Sequence, residues 1–214
     1  MLPSFLAGLG LGLSLIIAIG AQNLFVLRQG IRREHVLAVV AVCAASDITL
    51  IALGVSGVGL AIAALPWLVT VVRWAGAVFL FVYGALAAKR AWRPSGEALQ
   101  VGERAAAGVR GDVATATRTR TMPVVFTALA LTWLNPHVYL DTVFLLGGVA
   151  GTHGDGRWTF AAGAMIASAV WFTALGFGAR HLGRRLATPR AWRILDGVIA
   201  VVMIGLGISL VVGA

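Results

Sequence analysis

Six long apolar stretches, at about residues 2–27, 36–60, 67–88, 122–149, 159–179 and 194–212, occupy most of this chain. A helix needs roughly 20 mostly apolar residues to cross the hydrocarbon of a bilayer. Backbone groups in lipid must also be satisfied within the spanning structure, which leaves helices or closed barrels. The stretches lack the alternating ~10-residue pattern of barrel strands. The expected fold is an all-α integral membrane protein with six transmembrane helices. Composition agrees, since 59% of the residues are hydrophobic and only 12% are charged. A soluble domain carries nearer ~25% charged residues, because its surface faces water. This balance excludes a nucleic-acid-binding domain, a disordered tail and most soluble enzymes. The first stretch has no charged n-region and no small-residue cleavage site leading to a soluble domain. It is expected to stay as a span rather than leave as a signal peptide.

The formal net charge of +9 lies mainly between the apolar stretches. Arg28, Arg32 and Arg33 follow the first. Lys89, Arg90, Arg93, Arg104, Arg110, Arg118 and Arg120 follow the third. Arg180, Arg184, Arg185, Arg190 and Arg193 follow the fifth. The second loop has no basic residue and the fourth has only Arg157. By the positive-inside rule the odd-numbered loops are cytoplasmic and both termini lie outside. Membrane lipids are expected neighbours, and the basic loops can meet anionic headgroups. Cys43 is the sole cysteine, so no intrachain disulfide forms.

The segment 90–121 is rich in Gly, Ala, Thr and Arg and has no apolar periodicity. It reads as a basic cytoplasmic linker between a first three-helix repeat, 1–89, and a second, 122–214. The decapeptides beginning at Ala45 and Ala167 match at five of ten positions, including Ser46 with Ser168 and Gly54 with Gly176. An offset one residue shorter lays Gly76 over Gly197 and Gly84 over Gly205. With three spans per half, the second half enters the membrane from the opposite side. A 3+3 inverted repeat is the arrangement that many secondary transporters use to expose one central site alternately to each face.

Polar residues inside the apolar stretches are the candidate site. Asp47 falls near mid-membrane, where a lone carboxylate needs a cation, a proton or water. Pro136 frees carbonyls one turn earlier and breaks the fourth helix. Asn135 can satisfy such groups or present its amide to a ligand. His137 and Asp141 are four apart and share a helix face. They suit a proton-sensitive pair, or half of a metal site whose other ligands are missing nearby. Gln22 and Asn23 interrupt the first stretch and can bind a neutral or zwitterionic group, or hold helices together. Asp196, at the cytoplasmic start of the sixth, can cap its helix or pair with Arg193 or Arg73. Gly10-Leu11-Gly12 lacks the strand, turn and Lys-Ser/Thr ending of a phosphate loop, and no HExxH occurs. Neither an enzyme nor a cofactor is expected.

Gly20-Ala21-Gln22-Asn23 and the run from Leu134 to Thr142 (LNPHVYLDT) resemble the lysine/arginine exporter family of bacterial inner membranes. The likeness extends over essentially the whole chain. The Asn-Pro pair alone marks the wider superfamily of amino-acid and metal exporters. His137, Tyr139 and Asp141 resemble the basic-amino-acid branch, and Asp47 and Asp196 match its acidic positions. The resemblance implies export of L-arginine, L-lysine or both across the inner membrane. Asp47, Asp141 and Asp196 would receive the substrate's positive charge, and Gln22, Asn23 and Asn135 its backbone. Proton coupling would run through Asp47, Asp141 and His137. The competing readings are a divalent metal exporter and a membrane protein with a purely structural or assembly role.

Overall fold

The computed structural model describes residues 1–17, 20–57, 66–92, 121–182 and 188–212. Most of the expected linker, including Arg93, Arg104, Arg110, Arg118 and Arg120, lies outside them, as do Arg184 and Arg185. The described chain is helical: α1 (Leu2–Ile16), α2 (Ala21–Arg32), α3 (Val36–Val55), α4 (Pro66–Trp92) and α5 (Thr121–Trp133) come first. After a break at Leu134 and Asn135, α6 (Pro136–Val138) runs into a π-helical stretch (Tyr139–Leu146) and then α7 (Gly147–Thr152). A 3-10 turn (Gly154–Gly156) leads to α8 (Arg157–Leu182), and α9 (Pro189–Val212) closes the chain.

Four helices, α3, α4, α8 and α9, are each long and apolar enough to cross a membrane. The pair α1–α2, bent by 81°, makes a fifth if it counts as one span. The protein is thus an all-α, multi-pass membrane protein. Pro66 opens α4 and Pro189 opens α9, because the first helical turn has no use for the missing amide hydrogen and is favoured by the ring's fixed φ.

Small residues set the packing, as they must where lipid gives helices no apolar incentive to associate. α1 lies along α8, with Gly8 against the Phe160 carbonyl and Gly12 against Ala164. α2 continues along α8 in the same direction, from Asn23 beside Trp171 to Gly30 against Gly176. The second broken segment follows α3 likewise. Thr121 meets His35, Trp133 meets Ser46, and Gly147 abuts Gly54. α3 and α8 run antiparallel and touch at Asp47 and Ser168. α4 and α9 form a separate antiparallel pair, joined from Gly84 against Ile204 to Ala91 against Arg193. Buried Leu80, Leu131, Phe172, Ile199 and Met203 fill the principal core between these layers.

Candidate functional site

Two helix breaks face each other across the middle of the molecule. The first separates α1 from α2. Gly20 caps α2 in an extended conformation (φ −121°, ψ 172°). The first amide hydrogens of α2 therefore lack intrahelical acceptors, next to Gln22 and Asn23. Asn23 spans the break. Its Nδ2 donates to the Ile16 carbonyl at 2.7 Å, and its Oδ1 accepts from Trp171 Nε1 at 3.2 Å. The second break follows from Pro136, which cannot donate to the preceding turn. Asn135 Oδ1 accepts from the His137 amide at 3.1 Å, and the Tyr139 hydroxyl donates to the Trp133 carbonyl at 2.9 Å. Carbonyl and amide ends that the break exposes are thereby partnered. Beyond it the chain adopts π-helical geometry, a rare form often found at functional sites.

Between the breaks lies a cavity of about 210 Å³. That is below the ~300–1,000 Å³ of pockets for drug-sized ligands, and on the scale of one amino acid. Gln22, Asn23, Asp47, Asn135, His137, Asp141 and Thr142 line it. Leu15, Ile16, Val138, Phe172 and Leu206 supply apolar wall. Six residues singled out from the two polar runs and the second span thus converge, joined by Thr142, with Pro136 buried at the break itself. Asp47 is 7% exposed, and its Oδ2 accepts from Ser168 Oγ at 2.9 Å. Asp141 is exposed to the cavity side. No arginine or lysine is among the described lining residues, so nothing there offsets the two carboxylates. Gln22 Nε2 is buried without a well-aligned hydrogen bond, and the Gln22 side chain lies against Asp47 and Cys43. Among the described residues no group of three or more His, Cys, Asp or Glu converges as metal ligands would.

Asp196 is elsewhere. Its Oδ1 sits 3.3 Å from Arg90 Nε and 3.4 Å from Arg28 Nη2, near the end of the molecule that carries Arg33 and Arg180. Arg193, the sequence-adjacent candidate, donates instead to the Ala91 carbonyl. Sequence reasoning missed Ser168, Trp171 and Phe172. The first two are neutral groups inside an apolar helix and gave no signal except that Ser168 matches Ser46 in the repeat.

The family profile described as LysE type translocator matches residues 13–214. A protein of Mycobacterium tuberculosis strain H37Rv is 50% identical over 200 residues, covering 94% of this chain and 92% of its own. The lysine exporter of Corynebacterium glutamicum is 42% identical over 226 residues, covering 96% and 97%. The arginine exporter of Klebsiella pneumoniae is 39% identical over 210 residues, covering 95% and 90%. No solved structure matches the chain. With a match over nearly its full length and relatives of such identity, the chain belongs to the LysE type translocator family.

Proposed function

We propose that this translocator exports L-arginine, L-lysine or both across the bacterial inner membrane by alternating access, in exchange for protons. It is a carrier and not an enzyme. The observation that carries the reading is the cavity's charge: Asp47 and Asp141 line it, and no arginine or lysine is among the described lining residues. A basic amino acid brings two cationic groups and one carboxylate. Asp47 and Asp141 receive the guanidinium or side-chain ammonium through charge-assisted bonds. The open amides of α2 and the Gln22 donor receive the carboxylate, while Asn23 and Asn135 fix the backbone. The exporters of Corynebacterium and Klebsiella support the choice of substrate by their names and their full-length match.

Architecture supports the cycle. Each half opens with a broken segment lying along the second helix of the other half. The Gly54 and Gly176 that correspond in sequence each receive a glycine from the opposite broken segment, Gly147 and Gly30. These reciprocal contacts favour a 3+3 inverted repeat, with each broken segment crossing once. Both termini are then outside, and the basic loops are cytoplasmic. The halves are 1–89 and 122–214, joined by a basic linker.

Coupling follows from energetics. An inside-negative potential opposes a departing cation by ~2.3 kcal/mol per charge per 100 mV. Export against it needs a steep substrate gradient or an exchanged cation, and proton exchange is the simplest. A carboxylate that gives up arginine outside and returns protonated crosses the barrier as a neutral group, avoiding the cost of a bare buried charge. His137, beside Asp141 on the cavity wall, is the candidate relay. The test uses proteoliposomes preloaded with labelled arginine, lysine or a divalent metal, with voltage clamped by potassium and valinomycin and lumenal pH recorded. Arginine or lysine efflux accelerates under an opposing proton gradient at fixed voltage, with matching proton counterflow. Metal flux without amino-acid flux rejects the substrate, and efflux that tracks voltage alone makes the protein a uniporter.

A further inference from the structure

The α4–α9 pair meets α2 along a seam that leads from the cavity to the basic end of the molecule. Two layers close that seam. Phe25 of α2 meets Tyr83 of α4 edge to face, with ring centroids 6.2 Å apart. Beyond them Asp196 of α9 holds both Arg28 of α2 and Arg90 of α4, and the Arg90 guanidinium lies 5.7 Å from the Tyr83 ring centroid. The side chains of Arg28 and Asp196 are each only 6% exposed.

Two buried charges with a third that is partly buried are a poor choice for permanent glue. Taking each out of water costs several kcal/mol, and their attraction roughly offsets that cost, so an apolar contact of equal volume usually holds as well or better. The same balance makes the cluster suitable for a contact that forms and breaks. When the seam opens, water replaces each lost partner and little free energy separates the two states. Arg28 is joined through α2 to Gln22 and Asn23 in the cavity wall, so movement of α2 reaches the site directly.

We propose that Arg28, Arg90 and Asp196, backed by Phe25 and Tyr83, form the gate that closes the cavity toward the basic, cytoplasmic face. The inference rests on the translocator reading, and its first test needs no substrate. A cysteine placed at Leu206, on the cavity wall, in a Cys43→Ser background reports access to a charged, impermeant maleimide. Inside-out and right-side-out vesicles present the two faces separately. Asp196→Asn leaves size unchanged and removes the charge that holds both arginines. Labelling from the basic face then rises about tenfold, the population shift that losing about 1.4 kcal/mol brings, with no rise from the other face. An unchanged rate, or an equal rise from both faces, overturns the gate. Should the Asn variant not fold, Arg28→Cys with Asp196→Cys tests the same contact on a folded protein. A short cleavable bismaleimide joining them stops arginine export, and cleavage restores it; export at full rate while cross-linked overturns the proposal. If labelling behaves as expected but no amino acid moves, the gate stands and the substrate assignment falls.

Discussion

Asp47 is held by two features that separate its charge from its shape. Burial at 7% exposure makes the carboxylate depend on a partner, and Ser168 supplies one hydrogen bond from the facing helix. Gln22 lies against the carboxylate as well, and no arginine or lysine is among the described residues that line the cavity beside it. Asp47→Asn preserves volume and removes the charge that a substrate cation would meet. Labelled arginine efflux from proteoliposomes should fall to background, while the variant elutes from size exclusion like the parent. Efflux at the parental rate would make Asp47 a packing residue. Ser168→Ala keeps the charge and deletes one hydrogen bond to it, worth about 1.5–3 kcal/mol. Efflux should drop about tenfold and recover in part in Ser168→Thr. The aspartate was legible in the sequence because a carboxylate in an apolar stretch is conspicuous. Its serine partner was not, because a hydroxyl in a helix can satisfy itself on its own backbone, as Thr132 does on the Ala128 carbonyl.

Broken helices place polar atoms at the centre of this fold, with a carbonyl at each break held by a side chain. The fourth-span break could be read directly, since Pro136 removes a donor and Asn135 precedes it. The break before Gly20 carried a weaker mark, and the π-helical stretch from Tyr139 carried none, because its register depends on how the chain meets α3. That contact is made at Gly54, where an added Cβ would lie 2.8 Å from the carbonyl oxygens of Thr142 and Val143. Those oxygens belong to the stretch that carries Asp141, so Gly54 fixes the second carboxylate from the far side. Gly54→Leu should destabilise the protein by about 1–3 kcal/mol or more and lower its unfolding temperature in detergent. Gly10 faces open space, and Gly10→Ala there should hold or raise that temperature, since alanine favours a helix interior by roughly 0.5–1 kcal/mol. Equal transitions for the two variants would mean that the α3 contact is loose. Long-range ion pairing escaped the sequence for a related reason. Arg73 and Arg193 are near to hand in the sequence or on the adjoining helix, yet Asp196 finds Arg28 and Arg90, because α2, α4 and α9 end at one level.

At the scale of the whole molecule, direction of travel bears on the proposed number of crossings. α1 and α2 meet at 81°, an angle that a re-entrant loop could also show. A re-entrant chain would turn back along its neighbour. Here the contacts advance steadily: Gly8 on Phe160, Gly12 on Ala164, Asn23 on Trp171, Gly30 on Gly176. The chain therefore follows α8 along most of its length without reversing. The partners of α3 advance in the same way from Thr121 to Gly147. If both broken segments cross, they add to the four straight helices to make the six crossings proposed above, and the carboxyl end returns to the side of the amino end. The arginines agree, because Arg28, Arg90 and Asp196 share one end with the junction of α2 and α3, while the 3-10 turn at Gly154–Gly156 lies at the other. We expect a single cysteine at Gly154, in a Cys43→Ser background, to react with an impermeant maleimide in intact cells. One at Arg33 should react only after the membrane is opened. Gly154 has φ +52°, so Asp155→Cys is the companion variant that avoids a strained backbone. Labelling of residues 33 and 155 from the same side would mean that an even number of crossings separates them, and the second broken segment, which lies between them, would have to be a re-entrant loop after all.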